Sequence, residues 1–264
     1  MLQIKNLAMH FEDGMNPEEV VHHISFEINQ GEILGIVGES GSGKTIVALT
    51  IAGLGKAGLT IDSGEIRLED RNLLALTAKE WRQVQGKQIG MIFQEPMTSL
   101  NPTMKIGDQV EEALIIHTRL NRAERRKKVM EALLDVELDQ PEELLGKYPH
   151  ELSGGMRQRV MIASAIICRP KILIADEPTT ALDVQTQNAI LDLLKKLNEK
   201  YQMSILFISH NLRVVYQICQ RVLVMKEGNI VEEGLTEEVF NHPTHDYTKE
   251  LIRAIPIRSK ISFS

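Results

Sequence analysis

The sequence predicts an α/β fold: a mixed sheet flanked by helices, with antiparallel strands near the amino terminus and an inserted helical segment. Three observations predict it. Short runs rich in Ile and Val alternate with longer stretches of helical spacing. Polar residues directly follow several of these runs. One long stretch in the middle of the chain shows helical patterns without any strand pattern.

The strand predictions fall into two groups. Residues 2–11 and 20–28 resemble antiparallel strands packed at one side of the fold. Later apolar runs are typical of buried parallel strands, and each leads into polar residues. These runs are 32–37, 88–93, 171–175 and 203–208. Because ligands bind at the carboxyl ends of strands in open α/β sheets, we expect the polar residues to converge on one site.

Domain boundaries follow from where the strand pattern stops. Helical spacing replaces it between about Pro96 and Leu152. We predict one domain, with a core over residues 1–94 and 159–235, a helical subdomain over 95–158 and a tail over 236–264. Short helices are expected in the tail, the first capped by Thr236.

Composition excludes several classes of protein. The chain has 264 residues, 43% of them hydrophobic, which is enough for one large folded domain. A formal net charge of −6 argues against a general nucleic-acid or anionic-membrane surface. Cys168 and Cys219 lie far apart, so a disulfide framework or a cysteine metal site is not expected. No run approaches the roughly 20 apolar residues of a membrane span.

The stretch GESGSGKT, residues 38–45, fits the phosphate-loop pattern between a predicted strand and a predicted helix. Backbone N–H groups of such a loop point into one concavity, and the following helix start favours phosphate. Lys44 is expected to bridge the terminal phosphates and Thr45 to offer its hydroxyl to Mg²⁺. The predicted phosphate-binding residues are Gly38, Glu39, Ser40, Gly41, Ser42, Gly43, Lys44 and Thr45.

An acidic pair, Asp176 and Glu177, ends the run ILIADE. Such a pair can be a solvated turn or a helix cap. With a phosphate loop in the same chain, Asp176 becomes the candidate for holding Mg²⁺ through water, and Glu177 for orienting and polarising the attacking water.

Three further residues remain open between a structural and a functional role. Gln94 is either a loop residue or a contact to Mg²⁺ or the water. His210 is either a structural histidine or a γ-phosphate contact. Ser153, in LSGGM, is predicted to cap a helix; with Gly154 and Gly155 that helix start is either a simple cap or a second anion-binding tip.

Taken in order, these motifs resemble the nucleotide-binding subunits of ABC transporters. GESGSGKT, Gln94, LSGGM, ILIADE, ALD at 181–183 and SH at 209–210 resemble that family's six motifs. The resemblance implies that two such domains meet head to tail, so that Ser153, Gly154 and Gly155 serve the ATP of the partner. It implies catalytic roles for Lys44, Glu177 and His210, and a metal-binding role for Thr45, Gln94 and Asp176. Phe11 matches the family's adenine-stacking position, although a strand Phe is equally often core.

Residues 94–109 and 242–256 resemble, more narrowly, the ATPases of oligopeptide, dipeptide and nickel importers. Met156 and Asn211 depart from the commoner Gln and Asp, and Met156 resembles one of two unlike subunits, which implies a heterodimer. The resemblance further implies ATP, Mg²⁺, two membrane permease subunits, an extracytoplasmic solute-binding protein and a peripheral place on the cytoplasmic face of the membrane. No cysteine follows Cys219, so we expect no iron–sulfur cluster.

Two alternatives belong to other functional classes. A soluble ABC-type ATPase acting on nucleic acid would use a basic patch such as residues 119–128, which in an acidic protein is more simply a charged helix face. An exporter ATPase is the other alternative, and only the narrower resemblance speaks against it.

Overall fold

The computed structural model describes residues 1–12, 18–95, 99–180 and 182–254. The chain forms two compact units, the first made of Met1–Trp81 and Ser204–Ser264, the second of Arg82–Met203. Parts of three predicted motifs lie outside the described residues: 96–98, 181 and 255–256.

The described part of the chain contains both strands and helices. The strands are β1 (Leu2–Phe11), β2 (Glu18–Ile28), β3 (Ile33–Val37), β4 (Leu59–Leu68), β5 (Arg71–Asn72), β6 (Ile89–Ile92), β7 (Ile172–Asp176), β8 (Ser204–Ile208), β9 (Arg221–Lys226) and β10 (Asn229–Leu235). The α-helices are α1 (Lys44–Ile51), α2 (Ala78–Val84), α3 (Ile106–His117), α4 (Arg122–Asp135), α5 (Pro141–Leu144), α6 (Gly154–Ile166), α7 (Val184–Tyr201), α8 (Leu212–Ile218), α9 (Thr236–Asn241) and α10 (Asp246–Arg253). Short 3-10 helices cover Leu73–Ala75 and Pro149–Glu151.

The first unit contains the predicted antiparallel sheet, in the order β2-β1-β4-β5. Leu2 pairs with Ile28 of β2 and with Leu68 of β4, so the start of β1 is held on both sides. Leu2, Ile28 and Leu68 are all buried. The antiparallel amino-terminal strands predicted from the sequence are therefore confirmed.

A second sheet in the first unit is mixed, as predicted. Its order is β10-β9-β3-β8, with β3 parallel to both β8 and β9, and β10 antiparallel to β9. Every residue of β3 and β8 is buried. This explains their continuous apolar runs, because a strand covered on both faces has no solvent side.

The second unit pairs β6 with β7 in parallel, Ile89 lying opposite Ile172. Helix α6 packs on β6 so closely that a Cβ added at Gly90 would lie 2.4 Å from the carbonyl oxygen of Ala165. Helices α3, α4 and α6 contact one another, and α3 and α4 lie within the segment predicted to be helical. The predicted boundaries of the helical subdomain stay a prediction.

One detail of the tail differs from the prediction. Thr236 does not cap α9; it is the first residue of the helix, and Leu235 precedes it without a side-chain cap. The reason is that β10 runs directly into α9, and the N–H group of Thr236 donates a 3.0 Å hydrogen bond to the carbonyl of Gln220. None of the described helices combines the length and apolar character that crossing a membrane requires.

Candidate active site

The first glycine stretch connects β3 to α1 as predicted. Gly43 precedes the helix with a φ of 98°, a backbone angle that residues other than glycine rarely adopt. Gly38 approaches β9 so closely that an added Cβ would lie 2.1 Å from the carbonyl oxygen of Met225. The turn after β9 also holds the loop, since the N–H group of Gly228 donates to the carbonyl of Ser42 at 3.2 Å. The loop is thus shaped by its glycines and braced by a neighbouring strand and turn.

We expect Gly38→Ala to destabilise the protein much more than Gly41→Ala. Both glycines have positive φ, 152° and 86°, so both substitutions strain the backbone by about 1 kcal/mol. Only at Gly38 does the new Cβ overlap a backbone atom; at Gly41 nothing lies within 4 Å. We expect an additional loss of about 1–3 kcal/mol at Gly38. Urea unfolding without nucleotide measures the difference, and equal losses would contradict the close approach.

Lys44 is folded into this loop. Its side chain is buried, with 5% exposure, and its ammonium group donates to the carbonyls of Gly38 at 2.9 Å and Glu39 at 2.6 Å and to the hydroxyl of Ser42 at 3.1 Å. An ammonium group that donates to loop carbonyls can exchange them for phosphate oxygens, which are charged and therefore accept stronger hydrogen bonds. Lys44 therefore lies where the phosphate-loop prediction requires it.

The other predicted loop residues are open to solvent or support the loop. Glu39, Ser40, Gly41 and Thr45 are exposed, while Ser42 is buried. Thr45 is the second residue of α1 and lies in the first turn of that helix. N–H groups in the first turn of a helix have no partner within the helix. A hydroxyl at the start of a helix suits a phosphate and its counter-cation.

His210 follows β8, which is the parallel neighbour of β3. The N–H group of Ser209 donates to the carbonyl of Ile36 at 3.2 Å, so this turn lies at the same sheet edge as the phosphate loop. Asn211 caps α8, its side chain accepting a hydrogen bond from the N–H group of Arg213 at 3.1 Å. His210 itself is exposed. The first unit therefore brings Lys44 and His210 to one edge.

Asp176 ends β7 in the second unit, Glu177 follows it, and Gln94 follows the adjacent β6. The side-chain amide of Gln94 donates to the carboxylate of Glu177 at 3.1 Å, and the hydroxyl of Thr180 donates to the same oxygen at 2.9 Å. Asp176 is buried, with 5% exposure. The predicted proximity of Gln94 and the acidic pair is present in this unit.

Two residues that support Glu177 carry no distinctive sequence signal. Thr180 orients the Glu177 carboxylate, and a hydroxyl three residues after the acidic pair is the only hint of it. Gln158, with 1% exposure, donates its amide to the carbonyl of Pro178 at 2.6 Å and so fixes the turn after Glu177. Glu177 itself has a φ of 48°, an uncommon conformation that these contacts hold in place.

The second glycine stretch forms the start of α6, as predicted. The hydroxyl of Ser153 accepts a hydrogen bond from the N–H group of Met156 at 3.3 Å. A Cβ added at Gly154 would meet nothing within 4 Å, whereas at Gly155 it would lie 3.0 Å from the methyl of Thr186. Ser153 and Gly154 are exposed, so this helix tip can receive an anion from outside the chain.

Phe11 is the last residue of β1 and is half-buried opposite Leu59 of β4. Its position at the end of a strand leaves part of the ring open to solvent. The contacts described for Phe11 neither bring it to the phosphate loop nor assign it to the core.

A strand, a glycine loop with a buried lysine and a helix, together with a strand that ends in Asp-Glu, define a nucleoside triphosphatase of the phosphate-loop class. Comparison with known proteins gives the family. The family model described as "ABC transporter" matches residues 21–180. The chain belongs to the ABC transporter family, as its motifs predicted.

Individual relatives are similar over nearly the whole chain. The "Dipeptide transport ATP-binding protein DppD" of Haemophilus influenzae is 47% identical over 97% of this chain and 78% of its own length. The "Oligopeptide transport ATP-binding protein AppD" of Bacillus subtilis is 46% identical over 97% of this chain and 79% of its own length. A solved dimeric structure of the ATP-binding cassette MJ0796 in a post-hydrolysis state, bound to ADP and Pi, superimposes with a TM-score of 0.80 at 32% identity, covering 89% of this chain and 99% of that one.

Proposed function

We propose that this chain is the ATP-hydrolysing subunit that energises an ABC importer of peptides. The substrate class rests on the similarity to dipeptide and oligopeptide transport proteins over 97% of the chain. The observation that carries hydrolysis is the Glu177 carboxylate, which Gln94 and Thr180 hold through two hydrogen bonds to one oxygen. A carboxylate held in a fixed orientation can act as a general base and accept a proton from water.

Each predicted residue has a role in that proposal. Glu177 orients the attacking water and takes its proton. Lys44 supports the terminal phosphates, and the backbone N–H groups around it cradle them. His210 contacts the γ-phosphate. Phe11 stacks on the adenine.

Mg²⁺ is proposed as the metal that accompanies ATP. The side chains assigned to it, Thr45, Gln94 and Asp176, present hydroxyl, amide and carboxylate oxygens, which are the donors Mg²⁺ prefers. If bound there, Mg²⁺ would supply positive charge against the oxygens of the transferred phosphoryl group. The expected absence of an iron–sulfur cluster stays a prediction.

The proposed partners are a second homologous ATPase subunit, in a heterodimer, two membrane permease subunits and an extracytoplasmic solute-binding protein. The exposed tip of α6 supports the first of these, because Ser153, Gly154 and Gly155 would complete the partner's ATP site. The MJ0796 cassette is described as dimeric. We place the protein at the cytoplasmic face of the membrane, bound to its permeases. Action on nucleic acid, export and nickel transport are not favoured by the relatives' names.

Purification from membranes tests the proposed function. The tagged chain, extracted with mild detergent, should bring two integral membrane proteins and a homologous ATPase with it, and deletion of its gene should abolish uptake of a labelled dipeptide but not of nickel. Copurification of nucleic acid without membrane proteins would refute the importer.

His210→Ala should lower ATP turnover of the assembled complex by at least tenfold and leave ATP binding within about twofold, because one hydrogen bond to the transferring phosphoryl group is lost. The matched control is His242→Ala, which changes another exposed histidine, at the end of α9. Phosphate release and filter binding measure the two quantities. Normal turnover in the variant would remove His210 from the site.

A further inference from the structure

The carboxy-terminal helix α10 reaches the phosphate loop through Tyr247. The hydroxyl oxygen of Tyr247 accepts a hydrogen bond from the backbone N–H group of Glu39 at 3.0 Å, across 208 positions of sequence. Tyr247 is buried, with 5% exposure, and burial raises the pKa of its hydroxyl, which therefore keeps its proton. Both residues belong to the first unit.

The peptide group that Tyr247 contacts also holds Lys44. The N–H group of Glu39 and the carbonyl of Gly38 are the two polar ends of one planar peptide unit. Lys44 donates to that carbonyl at 2.9 Å and to the carbonyl of Glu39 at 2.6 Å. Holding one end of the planar unit sets the direction of the other. Tyr247 therefore fixes the orientation of an oxygen that places the phosphate-binding ammonium group.

Glu232 of β10 fixes the turn from which α10 starts. One carboxylate oxygen accepts hydrogen bonds from the N–H group and hydroxyl of Thr244, at 2.7 and 2.8 Å, and the other accepts one from the N–H group of His245 at 3.1 Å. Burial acts to raise the pKa of Glu232, but these hydrogen bonds lower it below its usual value. The carboxylate therefore stays charged and holds the turn at neutral pH.

Two more contacts hold Tyr247 in place, one to its backbone and one to its ring. The side chain of His245 accepts a hydrogen bond from the N–H group of Tyr247 at 3.2 Å. The ammonium group of Lys226 lies 4.9 Å from the centre of the Tyr247 ring. Lys226 belongs to β9, the strand whose Met225 carbonyl faces Gly38. The hydroxyl is thus aimed at the loop by contacts from β9 and from the turn before α10.

We propose that Tyr247 is a positioning residue for the phosphate loop, and that the Glu232-anchored tail helix thereby sets the affinity for ATP. The inference rests on the proposed ATP binding and goes beyond it. Without the hydroxyl, the Gly38–Glu39 peptide can rotate, so fewer molecules have a phosphate loop in the conformation that binds ATP. Apparent affinity falls in the same proportion.

Tyr247→Phe is the test, because it removes only the hydroxyl. Losing one neutral hydrogen bond corresponds to about three- to tenfold weaker ATP binding. The KM for ATP should rise by the same factor while kcat stays within about twofold, since Glu177 is untouched. With ¹⁵N-labelled glutamate, the amide proton resonance of Glu39 should move upfield.

Tyr201→Phe is the matched control. It removes a hydroxyl that donates to the Asp135 carboxylate in the second unit, so it should lower stability without changing the ATP affinity or the Glu39 resonance. A merely structural role for Tyr247 predicts that both variants lose stability and neither changes affinity, and that result would overturn the proposal.

Glu232→Gln gives an independent second variant. An amide offers one acceptor oxygen in place of two, so the turn loosens while Tyr247 remains. We expect weaker ATP binding again, and no further loss when Glu232→Gln is combined with Tyr247→Phe, because both act through one contact. Additive losses of ATP affinity would show that Glu232 does not act through the contact between Tyr247 and Glu39. If the wild-type chain itself failed to bind ATP, the proposed function would fall with the inference, whereas equal affinity in wild type and Tyr247→Phe would overturn the inference alone.

Discussion

Glu177→Gln should lower ATP turnover by about 10²- to 10³-fold and leave ATP binding nearly unchanged, because an amide cannot take a proton from water. The substitution preserves the local structure. The amide oxygen can still accept from Gln94 and Thr180, which donate to Glu177 at 3.1 and 2.9 Å. A glutamine also tolerates the φ of 48° as well as a glutamate does. Single-turnover hydrolysis and equilibrium binding of ATP measure the two effects.

The matched control for this experiment is Glu199→Gln, which neutralises an exposed glutamate on α7 in the same unit. Turnover should remain at the wild-type level in that variant. If Glu177→Gln retained its turnover, the general base would have to be another residue. Because Glu177→Gln should bind ATP without hydrolysing it, the structure of its ATP-bound dimer can also be determined. That structure should place Ser153 and Gly155 against the partner's triphosphate.

Lys44→Met should weaken ATP binding by at least tenfold and lower turnover by about 10²-fold or more. The ammonium group is a charged donor that the phosphates need in the bound state and more strongly in the transition state. Methionine occupies nearly the same volume, so the buried position with 5% exposure stays filled. Isothermal titration with ATP and a steady-state assay measure both losses.

Lys56→Met is the control for that change, because it removes an exposed lysine between α1 and β4. Its affinity and turnover should match the wild type. The unfolding temperature of Lys44→Met is the second check. Wild-type stability combined with wild-type affinity would show that the lysine side chain is not the phosphate ligand.

The fold class and the candidate site could be predicted because their signals are local. The apolar runs at 32–37 and 203–208 contain β3 and β8, and the loop between β3 and α1 has its glycines where the phosphate-loop pattern requires them. Ser153 caps α6 as the sequence indicates. Each of these features depends on residues fewer than about ten positions apart, which is the range over which periodicity, capping and turn chemistry act.

Other features could not be predicted, since they depend on residues brought together by folding. Thr236 has the residue type of a cap, yet it enters α9 directly because the carbonyl of Gln220 takes its N–H group. Thr180 and Gln158 look like ordinary polar residues until the turn after β7 places them beside Glu177 and Pro178.

By itself, then, the sequence determined the phosphate-loop class, the antiparallel amino-terminal strands and the main buried strands, and it nominated the residues expected to carry the chemistry. Only the tertiary structure decided which groups hold those residues in place: Thr180 on the carboxylate of Glu177, and Tyr247 on the peptide that faces Lys44. The physical reason is that a hydrogen bond is set by distance and angle, and two residues 208 positions apart acquire both only when the intervening chain has folded.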